Sequence, residues 1–189
     1  MFGGTFDPPH VGHLVAAVNV RHELALDRVL FVVANRPWQK EALRHVSPAD
    51  ARLEMVAAAI AGVDGLELCT LEVDRGGVSY TADTLAELTD IHPYAELFLV
   101  LGRDAAAGLP TWERVEEVKR LASLVVVDRP GVCDPLPSGF AFQSVQIPRI
   151  DLSSTDLRRR VAEGRPLDFL VPPKVVDVIR RRGLYTESS

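Results

Sequence analysis

Short apolar runs rich in β-branched residues alternate with longer stretches of helical spacing along almost the whole chain, and this alternation restricts the fold more than any other feature. RVLFVVA (28–34), LELCTLEV (66–73), ELFLVLG (96–102), SLVVVD (123–128) and QSVQIPRI (143–150) read as strands. RVLFVVA is apolar enough to be buried on both faces. Between them, VGHLVAAVNVRHEL (11–24), SPADARLEMVAAAIAG (47–62), TADTLAELTDI (81–91), WERVEEVKRLA (112–122), SSTDLRRRVAEG (153–164) and PPKVVDVIRRRG (172–183) read as helices. Ser47 is expected to cap the second of these, with Pro48 at its first position and Gly62 near its stop. Thr81 is expected to cap the third, with Asp83 in its first turn, and Trp112 to open the fourth. The alternation predicts an α/β fold, a doubly wound, mainly parallel sheet with helices on both faces. No repeat, low-complexity tract or linker divides the chain. One domain over residues 1–189 is expected, its C-terminal helical portion from about 153 packed on it and residues 130–142 forming an exposed excursion.

Composition narrows the function classes. No apolar run approaches the roughly 18 residues of a membrane span, and the N-terminus lacks a basic-then-apolar signal pattern, so a cytoplasmic protein is expected. Cys69 and Cys133 stand in no CxxC motif, which agrees with a reducing compartment and two buried small side chains. A formal net charge of −5 argues against a nucleic-acid binder. It leaves small anionic ligands open, because basic residues cluster at Arg36 to Lys40, at Arg129 and at Arg158-Arg159-Arg160.

The residues with the most chemistry stand at the start, in GGTFDPPHVGH (3–13). In doubly wound sheets, ligands sit at the carboxyl ends of strands, beside glycine turns and helix N-termini. Gly3 and Gly4 let a phosphate approach the backbone, and the helix behind them offers unpaired N–H groups. His10 at that helix start and His13 one turn on can face one ligand and donate to a triphosphate. Two blander readings stay open for the histidines taken alone. They could be ordinary helix residues, or metal ligands, although no third ligand lies at a familiar spacing.

The complete string resembles the HxGH signature of the nucleotidyltransferase superfamily, and its GGTFDPxHxGH form is similar to the nicotinate-mononucleotide adenylyltransferases. Further segments agree in order along the chain: PWQK (37–40), RGGVSYTADTL (75–85), LGRDAAAGLPTW (101–112), RPG (129–131) and SSTDLR (153–158), the last preceded by Leu152 where the family has isoleucine. The resemblance implies a Rossmann-like nucleotidyltransferase fold. It implies transfer of AMP from ATP to nicotinate mononucleotide, giving deamido-NAD and pyrophosphate by in-line attack in NAD biosynthesis. It assigns catalysis to His10, His13 and Arg158, and ATP binding to Gly3, Gly4, Thr5, Phe6, Gly102, Asp104, Ser153, Ser154 and Thr155. The acceptor falls to Lys40, Tyr80, Thr81, Thr84, Trp112 and Arg129, with Trp112 stacking on the pyridine ring. Mg²⁺ is expected to arrive with ATP rather than on a dedicated set of protein ligands, with Asp104 taking either ribose or the ion. Partners are small molecules only, and the oligomeric state is left open, a homodimer included. Three rivals remain: phosphopantetheine or nicotinamide mononucleotide as acceptor, and a non-catalytic adenine-nucleotide binder.

One feature departs from the family pattern. A full β-strand precedes the glycine pair there, whereas only Met1 and Phe2 precede Gly3 here. Two readings are open: the true start lies upstream of Met1, or the first strand is truncated, which would leave ladder groups of its neighbours unpaired.

Overall fold

The computed structural model describes residues 1–37, 46–128 and 135–186. Six strands form one parallel sheet: β1 (Phe2–Gly4), β2 (Val29–Val33), β3 (Leu66–Cys69), β4 (Phe98–Gly102), β5 (Ser123–Asp128) and β6 (Phe142–Gln146). Their order is β3-β2-β1-β4-β5-β6. The chain therefore winds one way from β1 to β3 and the other way from β4 to β6, and the crevice where the winding reverses opens above β1 and β4.

Period-two alternation assigns the strand residues to two cores. Phe31 of β2, Val100 of β4 and Val125 and Val127 of β5 face one layer, packed with Ala17, Val20, Met55 and Val56 of the helices and with Val175 and Ile179 near the C-terminus. Val32, Leu99, Leu101, Leu124 and Val126 face the other, against Leu85, Leu88, Leu109 and Val118. The first layer holds α1 (Val11–Glu23), α2 (Ala49–Ile60) and α8 (Pro173–Arg182), with α8 packed on α2. The second holds α4 (Thr81–Ile91) and α6 (Val115–Leu121), which pack on each other. Between these come two short helices, α3 (Leu71–Arg75) and α5 (Arg103–Ala107), a 3₁₀ turn at Leu109–Thr111, and α7 (Ser154–Ala162). Among the described residues no helix is long and apolar enough to cross a membrane.

The expected elements change in four places. LELCTLEV divides into β3 and α3, because the β2–β3 ladder ends at Val32–Cys69. Beyond it the amides of Val73 and Asp74 turn back to the Thr70 carbonyl. The helix expected over 112–122 shrinks to α6, since Arg114 takes a left-handed conformation at φ 52° and breaks it. Trp112 is therefore extended rather than helical. Helix caps shift by one residue, Pro48 replacing Ser47 and Tyr80 replacing Thr81.

β1 has only three residues, yet it pairs on both sides, with Phe2, Gly3 and Gly4 opposite Phe31, Val32 and Val33, and Phe2 opposite Val100. Met1 extends the β4 side. Its amine donates to the Phe98 carbonyl at 2.7 Å, and its carbonyl accepts from the Val100 amide at 2.9 Å. The groups of β4 expected to lack partners are thus met. Burial lowers the amine's pKa from its ordinary 8.0 to about 6.

Candidate active site

β1 delivers the glycine turn to the crevice, and close packing shapes that turn. A Cβ on Gly4 would lie 2.9–3.1 Å from the Phe6 ring, so Gly4 is small to admit that ring as well as to expose backbone. Phe6 itself, at φ 49°, turns inward. It is 3% exposed and meets Phe2, Phe31 and the edge of His13, with centroids 5.1–5.8 Å away. The Phe6 ring therefore belongs to the core and packs behind His13, a catalytic candidate. Burying an aromatic ring outweighs exposing it beside a polar ligand.

His10 ends the turn as the extended N-cap of α1. Its N–H donates to His13 Nδ1 at 3.1 Å, and the two imidazoles stack with centroids 3.8 Å apart at 30°. With Nδ1 acting as an acceptor, the proton of neutral His13 sits on Nε2, leaving a donor at the far side of the ring. The stack needs Gly12. A Cβ there would stand 3.0 Å from both Nδ1 and Cε1 of His10, tighter than ordinary contact, and His10 is only 5% exposed. Gly12→Ala is expected to displace the His10 ring and cut kcat at least tenfold, about 1.4 kcal/mol in the barrier, with a small change in melting temperature. An unchanged kcat would show that the ring's position is not critical.

Buried groups absent from the sequence reading hold this turn. Arg52, 1% exposed, donates from Nε to the Ser47 carbonyl at 2.8 Å and from Nη1 to those of Thr5 at 3.1 Å and Ala34 at 2.6 Å. Its Nη2 donates to the Asn35 carbonyl at 3.0 Å, so one guanidinium joins the ends of β1 and β2. Asp7, also 1% exposed, accepts from the Tyr185 hydroxyl at 2.6 Å and from the Ser47 amide at 3.3 Å. Burial and the Asp7 charge push the Tyr185 hydroxyl far above its usual pKa, which keeps it a donor. The signal for Arg52 was present: it occupies the apolar register 52, 55, 56, 59 of α2, whose other members are Met55, Val56 and Ala59.

The start of α7 docks on the same turn from the opposite end of the chain. Ser154 Oγ donates to the Pro8 carbonyl at 2.9 Å, and Arg158 Nη1 donates to the Asp7 carbonyl at 2.8 Å. Ser153 is the N-cap, its hydroxyl accepting from the Asp156 amide at 3.1 Å, and Thr155 Oγ1 accepts from Arg158 Nη2 at 3.1 Å. The three hydroxyls thus have protein partners. Helix geometry leaves the N–H groups of Ser154 and Thr155 without an intrahelical acceptor, available to an anion beside the Arg158 charge.

A cavity of about 460 Å³ adjoins the turn, walled by Gly3, Gly4 and Thr5, by Gly102 at the end of β4 and Asp104 of α5, and by Tyr80, Thr81 and Trp112. Thr84 is not in that wall. One turn into α4, it lies on the helix's inner face, wholly buried. Its hydroxyl donates to Glu72 Oε1 at 2.8 Å and accepts from Arg75 Nη2 at 2.9 Å. Its hydroxyl is thus engaged within the protein rather than facing the cavity. Glu72, unanticipated from the sequence, does line the cavity. Lys40 and Arg129 lie outside the described residues. Among those described, no three His, Cys, Asp or Glu side chains converge on a metal-sized site.

Comparison with known proteins bears on this arrangement. A family profile described as cytidylyltransferase-like matches residues 1–160. A relative from Kineococcus radiotolerans, named a probable nicotinate-nucleotide adenylyltransferase, is 45% identical over 97% of this chain and 89% of its own. One of the same name from Thermus thermophilus is 45% identical over 98% and 97%. Among solved structures, a nicotinic acid mononucleotide adenylyltransferase of Plasmodium falciparum, complexed with NaAD, superposes with a TM-score of 0.80. It covers 99% of this chain and 96% of its own at 17% identity, and it bears on the fold alone. The chain belongs to the cytidylyltransferase-like proteins and, within them, to the nicotinate-nucleotide adenylyltransferase family.

Proposed function

We propose that this chain transfers AMP from ATP to nicotinate mononucleotide, forming deamido-NAD and pyrophosphate in NAD biosynthesis. One observation supports this reading most. The Gly3–Thr5 turn both walls the acceptor cavity and leads into the His10–His13 stack that Ser154 and Arg158 flank. A donor nucleotide and an acceptor phosphate can meet there at one backbone turn.

The chemistry asks for alignment and charge stabilisation rather than a side-chain nucleophile. A 5′-phosphate oxygen of the acceptor attacks the α-phosphorus of ATP, the bond from that phosphorus to the β-phosphate oxygen breaks, and pyrophosphate departs with the electron pair. His10 orients the phosphates. His13 Nε2–H and the Arg158 guanidinium stabilise the charge that grows on the equatorial and leaving oxygens. The amides of Ser154 and Thr155 hold the polyphosphate, and Trp112 offers a flat face to the electron-poor ring. Mg²⁺ would be held here chiefly by the nucleotide, with Asp104 in the cavity wall as the carboxylate that would assist, and it would supply charge neutralisation for the departing group. The C-terminal helices α7 and α8 belong to the same catalytic domain, since Arg158 and Tyr185 hold the turn, and the reaction is assigned to the cytoplasm.

The test is pyrophosphate release from Mg²⁺-ATP with nicotinate mononucleotide, nicotinamide mononucleotide or phosphopantetheine. Nicotinate mononucleotide is expected to give the highest kcat/KM. Release only with phosphopantetheine would overturn the acceptor assignment, and ATP binding without release from any acceptor would favour the non-catalytic reading.

A further inference from the structure

Glu72 is a buried carboxylate in the wall of the acceptor cavity that the mechanism does not use. It is 5% exposed, it lines the cavity, and burial raises its pKa while nearby Ser79 and Thr84 and the charge of Arg75 oppose that rise. Ser79 accepts from the Asn35 amide at the end of β2, at 2.9 Å. Thr84 donates to Glu72 at 2.8 Å, a shorter contact than its 3.3 Å approach to the Tyr80 carbonyl. Arg75 closes the network, donating to Thr84 at 2.9 Å and to Glu87 at 2.7 Å. The Glu72 carboxylate therefore holds Thr84 in the first turn of α4 from α3.

That turn carries the cavity's Tyr80 and Thr81, and its leading amides have no intrahelical acceptor. Amides recognise a carboxylate only when held within a few tenths of an ångström of the productive geometry.

We propose that Glu72 is a positioning residue for the acceptor: through Thr84 it sets the start of α4, so that the helix amides meet an anionic ring substituent and discriminate it from a neutral one. This rests on the proposed acceptor being nicotinate mononucleotide. Glu72 acts through the helix and does not itself touch the substrate. Its own negative charge is met by the Thr84 hydroxyl and by the charge of Arg75, which lets it sit in the wall of a site for an anion.

The experiment measures KM for ATP and for both mononucleotides in the wild-type chain, Glu72→Gln, Thr84→Val and Thr84→Ser, with melting temperatures alongside. Loss of a hydrogen bond to a charged group converts to a change of about tenfold or more in a binding constant. Glu72→Gln and Thr84→Val are expected to raise KM for nicotinate mononucleotide by about that factor. They should lower the preference over nicotinamide mononucleotide and leave KM for ATP within about twofold, while Thr84→Ser restores the wild-type values. Equal rises for ATP and acceptor, or an unchanged acceptor KM in Thr84→Val, would overturn the proposal. Should Glu72→Gln fold poorly, Thr84→Val decides, because valine matches threonine in shape. Wild-type turnover with nicotinate mononucleotide tests the underlying assignment separately, so its failure is distinguishable from a failure of the variants.

Discussion

His13→Ala is expected to lower kcat by about 10²–10⁴-fold while the melting temperature moves by only a few degrees. The ring is half-buried, and it contributes packing to Phe6 and His10, whose centroids lie 5.1 and 3.8 Å away. Removing it costs little core because Phe6 remains held by Phe2 and Phe31. What disappears is the Nε2 donor, oriented by the His10 N–H bond to Nδ1. A donor aimed at charge that develops only in the transition state affects kcat more than KM. Steady-state kinetics on the purified variant, with calorimetric melting, checks this. Turnover equal to wild type would remove His13 from the mechanism, whereas a kcat loss tracking a large fall in stability would assign it to packing.

Arg52→Met carries the largest expected stability effect, a loss of roughly 3–5 kcal/mol. Methionine fills much of the same volume but donates nothing, so the carbonyls of Thr5, Ala34, Ser47 and Asn35 lose a shared partner in a buried setting. Relaxation and water entry keep the total below the sum of four separate penalties. In a chain of this size the melting temperature should fall by roughly 10 °C, and urea unfolding gives the free energy directly. Arg52→Lys should recover only part, because an ammonium has three donors and no planar fork. A loss below about 1 kcal/mol would mean that water already serves those carbonyls.

The legible part of this protein lies in its local patterns. Alternating periodicity identified the α/β sheet and five of its six strands, because burial on two faces leaves a continuous apolar run such as VLFVV, and burial on one face leaves helical spacing. The string from Gly3 to His13 pointed to the site because its chemistry is compressed into one turn. Elements decided by non-local pairing were less legible. LELCTLEV has strand propensity throughout, yet only the ladder with β2 determines that the strand stops at Cys69. Trp112 has helical neighbours, but the left-handed Arg114 separates it from α6.

Side-chain roles divide in the same way. Sequence alone determined which residue types are present for phosphate and carboxylate chemistry, and that the chain belongs in a doubly wound sheet, because periodicity and short motifs are properties of contiguous residues. Only the tertiary structure decided which of those residues face the cavity. It turned Phe6 into the core and Thr84 onto Glu72, and it brought Arg52, Tyr185 and Arg158 to a turn as many as 178 residues away in the chain. The reason is physical. A buried polar group must find its partner wherever the packed backbone places one, and that location depends on the whole fold rather than on the residues beside it.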